Sequence, residues 1–272
     1  MSFWGLFKKK EKPSFKTGLA LGSGGAKGFA ELGALYCFEQ NGIEFDTVAG
    51  TSIGSIIGAF YAAGYSATDI LELIKGVDPS EIKSLFMVKM DTLKLFNVID
   101  RTIGNLDIEE LKKPFRAVAT KLSDGSKYVF DKGSVAKALC ASSAYPPFFK
   151  PVAVGEETLI DGAFSDSVPA DLLKKLGADF IVGIDLSSHR KNGGLISMFL
   201  PEFSGGADEP WKDGYDNSDV MLHPDLAEYK PISFAQGTKM FEIGYECAKE
   251  HIEEIKTKMD AARSRKGVKV KR

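Results

Sequence analysis

The chain has 272 residues, of which 44% are hydrophobic and 26% are charged, and its formal net charge is -2. This balance indicates a globular protein with a buried core and excludes a disordered chain, a collagen and a disulfide scaffold. The near-zero charge gives no overall basic field, so nucleic acid is not an expected partner. The three cysteines lie far apart, which favours neither a disulfide framework nor a metal site and indicates a reducing compartment.

The two ends of the chain differ in composition from the middle. Residues 1–16 carry five Lys and one Glu together with aromatic residues, and residues 263–272 carry six cations and no acid. We predict a basic, aromatic N-terminal extension over 1–16, a folded domain over 17–262 and a basic C-terminal tail over 263–272. These ends either contact an anionic membrane transiently or are simply solvated.

No apolar run reaches the length of a membrane span, and the apolar residues at the start precede the lysines, which is the reverse of a secretory signal. We therefore predict a cytoplasmic protein, with peripheral contact at the inner membrane face as an option.

Extended apolar segments alternate with amphipathic ones from residue 17 onward. A strand over 17–21 leads through a Gly-rich turn to a helix over about 26–40. A second strand over 45–49 leads to a helix over 52–63, and a further helix opens near Thr68. This order predicts strand-turn-helix units.

The segment 78–106 breaks this alternation with an apolar stretch that contains Met residues. It is either core or a flap over an oily ligand, and periodic apolar residues favour core. The later predicted elements are a hairpin over 115–130, a helix over 134–142, strands at 152–154 and 158–160, a helix over 169–176, a buried strand over 180–186, a mobile loop over 187–218, a strand over 219–222 and a helix over 234–259. The order predicts one α/β domain with a mostly parallel central sheet and helices on both faces.

Ligand sites in such sheets lie where strands end and helices begin. The first such loop is Gly22-Ser-Gly-Gly-Ala-Lys-Gly28, whose backbone N–H groups can converge on an anion at a helix start. Lys27 stands where a dinucleotide fingerprint needs Gly, and a Gly-Lys-Ser/Thr sequence is absent, so both phosphate-binding templates fail. Lys27 either places its cation near the loop or a lipid phosphate, or pairs with a carboxylate on the surface.

The second loop, Gly50-Thr-Ser-Ile-Gly54, is a GxSxG sequence between a strand and a helix. In a nucleophile elbow Ser52 would be an exposed, reactive serine, whereas the alternative is an ordinary serine N-cap. An acyl-transfer serine also needs donors for the oxyanion, and the N–H groups of Gly24 and Gly25 are candidates.

A serine nucleophile also needs a base, and the sequence offers two kinds. His189 or His223 could complete a Ser-Asp-His triad, while His251 lies among acids on the last helix and is predicted to be solvated. The other candidate is Asp161, which ends a strand and precedes Gly162, although Asp-Gly after a strand is also a common turn.

Taken in this order and spacing, the three loops resemble those of the patatin-like phospholipase family. The resemblance runs from about residue 18 to 170 and includes the blocks at 141–151 and 161–169. Lys27 stands where the family more often has arginine, and Ala163 stands where it more often has glycine. Neither departure affects the proposed catalytic pair.

The resemblance implies a three-layer α/β/α fold in which 17–262 is a catalytic domain with Ser52 as nucleophile, Asp161 as base and no catalytic histidine. It implies an oxyanion loop at Gly24 and Gly25, and neither metal nor cofactor. The supporting motif residues are Gly22, Lys27, Gly28, Gly50, Gly54 and Gly162. The implied substrate is a phospholipid, a lysophospholipid or another fatty-acyl ester. The alternative is a non-catalytic lipid- or phosphate-binding protein on the same fold.

An ordinary aspartate has a pKa of about 3.9 and is a weak base, so a desolvated position that raises this pKa would help the reaction.

Overall fold

A computed structural model of the chain describes residues 14–76, 92–187 and 205–268. Its strands are β1 (Thr17–Leu21), β2 (Thr47–Thr51), β3 (Phe115–Lys121), β4 (Lys127–Phe130), β5 (Val152–Val154), β6 (Glu157–Asp161), β7 (Phe180–Ile184) and β8 (Val220–Leu222). Its α-helices are α1 (Gly28–Gln40), α2 (Ile53–Ala63), α3 (Ala67–Gly76), α4 (Thr92–Ile103), α5 (Val135–Ser142), α6 (Ala170–Lys175), α7 (Lys212–Asn217) and α8 (Gly237–Arg265). Short 3-10 turns lie at Gly25–Lys27, Ile108–Glu110, Gly162–Phe164 and Phe234–Gln236.

The strands form one mixed sheet in the order β5-β6-β3-β2-β1-β7-β8, with β4 paired to β3. The five strands from β3 to β8 along this order pair in parallel. The carboxyl ends of β1, β2, β7 and β8 therefore meet at one edge. Thr51 at the end of β2 pairs with Val118 of β3. Strand β6 is antiparallel to β3 and places Asp161 opposite Ala119, the next residue of β3.

Alternate residues of each strand face opposite sides of the sheet, and each side is covered by helices. Leu19 and Leu21 belong to a large core that includes α1, α2 and α8, while Ala20 belongs to a smaller core on the other face with Leu172 and Leu173 of α6. The predicted three-layer α/β/α architecture with a mostly parallel sheet is therefore confirmed.

Several element boundaries differ from the sequence predictions. The strand predicted at 45–49 is observed at Thr47–Thr51, because pairing with two neighbouring strands extends it through Gly50, a residue with low strand propensity. The predicted loop 187–218 contains α7, whose sequence is rich in Gly, Asp and Asn and gives little helical signal. The last helix continues to Arg265.

Parts of other predicted segments lie outside the described residues, namely 1–13, 77–91, 188–204 and 269–272. Within the described part of 78–106, Ile99 and Ile103 of α4 are buried in the larger core. None of the described helices combines the length and apolar composition needed to cross a bilayer.

Candidate active site

Ser52 occupies a strained turn between β2 and α2. Its backbone angles are φ 55° and ψ -123°, in a region that residues with a side chain seldom adopt. The turn raises the serine above the sheet edge at the N-terminus of α2, where the free amides and the helix dipole favour developing negative charge. This geometry matches the predicted nucleophile elbow.

The two glycines of the GxSxG sequence permit this turn because the backbone packs too closely for a side chain. A Cβ atom on Gly50 would lie 2.3 Å from the carbonyl oxygen of Gly54, and a Cβ on Gly54 would lie 2.5 Å from that of Leu21. Helix α2 thus sits directly against β1 and β2, and the position of Ser52 follows from that contact.

Asp161 lies beside Ser52 at the end of β6. The Ser52 hydroxyl donates a hydrogen bond of 2.7 Å to Oδ2 of Asp161, and the Ala163 amide donates one of 2.9 Å to Oδ1. Gly162 begins the 3-10 turn that presents this amide. Asp161 is only 1% exposed, and this burial raises its pKa to about 7 despite the two hydrogen bonds, which lower it. A carboxylate with this pKa is a far better base near neutral pH than an ordinary aspartate.

A block at the end of α5 holds both members of this pair. The Ser52 amide donates a hydrogen bond of 2.9 Å to the hydroxyl of Ser142, which itself donates to the carbonyl of Val118. The Asp161 amide donates one of 3.1 Å to the carbonyl of Ala144. The sequence resemblance includes this block, but no local signal marks Ser142 or Ala144 as partners of the pair.

The Gly-rich loop is anchored at both ends and lines the same cavity as Ser52. The Gly22 amide donates to the buried carboxyl of Glu31 at 2.7 Å, and the Ala26 amide donates to the carbonyl of Pro231 at 2.7 Å. Among the described residues, the amides of Gly24 and Gly25 donate to no carbonyl or side chain. These two amides are therefore available as donors, and their assignment as an oxyanion hole stays a prediction.

The two other named residues of this loop have structural contacts. Gly28 begins α1 and packs against Ile53 of the elbow helix. Lys27 is 6% exposed, and its ammonium donates to the carbonyl of Leu186 at 3.3 Å. It is therefore a buried lysine at the cavity wall rather than a solvated surface residue. Burial raises the pKa of the nearby Glu31 well above its usual value, with the charge of Asp185 adding to the shift.

The histidines within the described residues lie in other environments. Nδ1 of His223 is 3.5 Å from Oδ2 of the buried Asp185, and the hydrogen bond to Asp185 is the main cause that raises the pKa of His223. His251 lies on α8, is half-buried, and has Nδ1 at 2.8 Å from the carbonyl of Cys247. His189 lies outside the described residues.

A cavity of about 570 Å³ opens beside Ser52 and Asp161. One wall is formed by apolar side chains of α2, α3 and α4. They include Ile56, Ile57, Phe60, Ile70, Leu73, Ile74 and Ile99. A cavity of this size and lining can hold an acyl chain.

Three carboxylates near the site come close enough to bind a cation, namely those of Asp166, Asp171 and Asp213. The ammonium of Lys127 lies among them, at 2.7, 3.0 and 3.6 Å from their oxygens. The lysine thus supplies the positive charge that this cluster needs. The prediction of a metal-free reaction stays a prediction.

Comparisons with known proteins identify a family and several relatives of this chain. The model of the family described as "Patatin-like phospholipase" matches residues 19–174. An uncharacterized NTE family protein of Mycobacterium tuberculosis is 30% identical over 180 residues, covering 63% of this chain and 49% of its own. The lysophospholipase nte1 of Neosartorya fischeri is 27% identical, covering 89% of this chain and 18% of its own. The chain thus spans about half or less of these relatives.

Among solved structures, VipD from Legionella pneumophila superposes with a TM-score of 0.57 at 16% identity, covering 89% of this chain and 67% of VipD. At this identity the likeness concerns the fold alone.

Proposed function

Because this chain belongs to the patatin-like phospholipase family, we propose that it hydrolyses the ester bond of a fatty-acyl lipid, with Ser52 as nucleophile and Asp161 as base. The observation that carries the proposal is the 2.7 Å hydrogen bond from the Ser52 hydroxyl to a buried carboxylate in the wall of an apolar cavity. The substrate class is a phospholipid or a lysophospholipid, and a relative that bears the name lysophospholipase supports this choice.

In the first half of the reaction Asp161 accepts the Ser52 proton while Oγ attacks the ester carbonyl carbon. The carbonyl oxygen becomes an oxyanion, which the Gly24 and Gly25 amides are placed to bind. Loss of one such donor typically costs about 2.7 to 4 kcal/mol of transition-state stabilisation. The intermediate then expels the alcohol, which takes the proton from Asp161, and an acyl-serine remains.

In the second half a water molecule gives its proton to Asp161 and attacks the acyl-serine. The tetrahedral intermediate collapses, the proton returns to Ser52 Oγ, and the fatty acid leaves. The same carboxyl acts as base and then as acid in each half, which suits a pKa of about 7. Asp161 is held for this task by Ala163 and Ala144.

Cytoplasmic location and peripheral membrane contact are part of this proposal. The described rim of the cavity carries Ile232, which is 50% exposed, and Lys230. An exposed apolar residue beside a cation suits contact with an anionic lipid surface. Residues 1–13 of the basic N-terminal extension lie outside the described residues, and their contact with a membrane stays a prediction.

A fluorescent fluorophosphonate tests the proposal directly, because it labels serines whose hydroxyl is activated. We expect labelling of the wild-type protein and of a variant with His189, His223 and His251 all changed to alanine, but not of Ser52→Ala. Hydrolysis of a short p-nitrophenyl ester should follow the same pattern. Loss of labelling in the triple variant would revive the histidine triad. Absence of labelling in folded wild type would favour the lipid- or phosphate-binding alternative.

The pH dependence of the reaction should report the base. Asp161 must be ionised to accept the Ser52 proton, so kcat/KM should rise with pH through a midpoint near its pKa of about 7 and then level off. The measurement is fatty-acid release from about pH 5 to about pH 9.

The hydrogen bond to Asp185 raises the pKa of His223 above its ordinary value of 6.5, so His223→Ala is the matched control and should keep the same midpoint. A rate that is flat over this pH range, as an aspartate with the ordinary pKa of 3.8 would give, would contradict this assignment, and so would a midpoint that disappears in His223→Ala.

A further inference from the structure

Two buried serines in the wall of the catalytic cavity have hydroxyls that make no hydrogen bond to any described residue, and the half-buried Ser187 carries a third such hydroxyl. Ser143 is 8% exposed and Ser167 is 3% exposed, and the Oγ atoms of both are unpaired within 14–76, 92–187 and 205–268. Both residues line the cavity that contains Ser52 and Asp161. Buried polar groups are nearly always paired in native proteins, so a partner for these two hydroxyls is expected from the cavity itself.

Chain connectivity and backbone hydrogen bonds fix the main chain of both serines in the cavity wall. Ser143 directly follows Ser142, whose hydroxyl accepts a hydrogen bond from the Ser52 amide. The carbonyl of Ser167 accepts the amide of Ser23 at 3.0 Å, which ties this residue to the start of the Gly-rich loop. The Ser167 amide donates to the carbonyl of Pro210 at 2.8 Å. A main chain that is already fixed loses little conformational freedom when a ligand binds, which favours binding.

The chemistry of the reaction decides which part of the substrate these hydroxyls meet. The tetrahedral carbon formed by attack carries four groups, namely Ser52 Oγ, the oxyanion, the acyl chain and the alcohol. The Gly24 and Gly25 amides are placed for the oxyanion, and the apolar wall of α2, α3 and α4 suits the acyl chain. The alcohol therefore remains for the part of the cavity that carries the unpaired hydroxyls.

We propose that Ser143 and Ser167 form a subsite that hydrogen-bonds a free hydroxyl of the leaving alcohol, such as the glycerol hydroxyl next to the ester of a monoacyl lipid. This inference rests on the proposed function, because it takes Ser52 as the attacking group. A serine hydroxyl both donates and accepts, which matches a ligand hydroxyl. A lipid in which this glycerol hydroxyl is acylated or replaced by hydrogen leaves both protein hydroxyls unpaired and binds more weakly.

The test compares two non-hydrolysable ether lipids with the same medium-length alkyl chain, 1-alkyl-glycero-3-phosphocholine and its 2-deoxy analogue. Calorimetry gives the dissociation constant of each for wild type, Ser143→Ala and Ser167→Ala. Wild type should bind the hydroxylated lipid about threefold to tenfold more tightly, the range that neutral hydrogen bonds supply. Each alanine variant should bring this ratio toward one, because the ratio isolates the pairing of ligand and protein hydroxyls.

Ser218→Ala is the matched control, since its hydroxyl is also unpaired among the described residues but lies outside the cavity lining, and it should keep the wild-type ratio. Equal binding of the two lipids by wild type would overturn the proposal, because water and not the ligand hydroxyl would then be the hydrogen-bond partner of Ser143 and Ser167. An equal weakening of both lipids in the alanine variants would also overturn it, because that result means a packing role.

Turnover separates this proposal from the proposed function. If wild type hydrolyses a p-nitrophenyl ester but binds the two ether lipids equally, the proposed function stands and the subsite is removed. The expected ratio without hydrolysis of any ester leaves the binding of a lipid hydroxyl standing but removes the proposed function, and with it the assignment of that hydroxyl to a leaving alcohol.

Discussion

Replacing Ser52 with alanine is expected to lower kcat for ester hydrolysis by at least about 10⁴-fold, the scale seen when a catalytic serine is removed from other hydrolases. Without Oγ no acyl-serine forms, and Asp161 has no hydroxyl to deprotonate. The fold should persist, because the Ser52 amide keeps its hydrogen bond to Ser142 when the hydroxyl is removed. The measurement is fatty-acid release from a lysophospholipid. Mass spectrometry should detect an acyl-enzyme in wild type and none in the variant.

Ser52→Gly is the matched control for this experiment. It should be equally inactive but more stable than Ser52→Ala, because glycine accepts φ 55° without steric cost. Retention of more than about a tenth of the wild-type kcat in either variant would show that another group attacks the ester, since loss of the nucleophile costs far more.

Replacing Asp161 with asparagine is expected to lower kcat by about 10³-fold to 10⁴-fold, because the amide keeps the shape of the carboxylate but cannot take the Ser52 proton. The Ala163 amide still finds an oxygen at this position. The measurement is kcat and KM on the same lipid, and KM should change far less than kcat.

Asp185→Asn provides a matched comparison, since Asp185 is also a buried aspartate at a strand end but faces His223. Its loss of activity should be much smaller than that of Asp161→Asn. The reverse order of effects would place the base at the Asp185–His223 pair.

The same Asp161→Asn substitution should stabilise the protein at alkaline pH. The pKa of Asp161 is about 7 in the folded protein against an ordinary value of 3.8, so the folded state holds its proton more tightly than the unfolded state does. Wild-type stability from this group is therefore present below about pH 4 and is lost as pH rises through about 7. Asparagine avoids this loss, which for a shift of about three pKa units is at most about 4 kcal/mol.

Urea unfolding of both proteins at about pH 8.5 and about pH 4.5 measures this effect. The stability difference in favour of the variant should be large at the higher pH and small at the lower one. An equal difference at both values would mean that Asp161 is not a buried ionisable group with a raised pKa. Stability gained where activity is lost is the expected signature of a strained catalytic position.

Local patterns in the sequence carried much of this description. The alternation of apolar strands and amphipathic helices predicted a mostly parallel sheet with helices on both faces, because the periods of 2 and 3.6 residues are visible in neighbouring positions. Gly50 and Gly54 around Ser52 predicted the elbow for the same reason, since the turn involves only adjacent residues. The resemblance of the three loops to the family is confirmed by the family match. The role of Asp161 as the partner of Ser52, which that resemblance implied, stays a prediction.

Tertiary structure alone decided how these parts meet. Asp161 lies 109 residues from Ser52 and reaches it through an antiparallel strand that the expected parallel pattern did not predict. The support from Ser142 and Ala144, the burial of Lys27 and the pairing of His223 with Asp185 depend on contacts between distant segments. The raised pKa of Asp161 follows from its burial, which is a property of the packed core. Sequence motifs thus determined which groups are present, whereas long-range packing decided their distances, their solvation and therefore their chemistry.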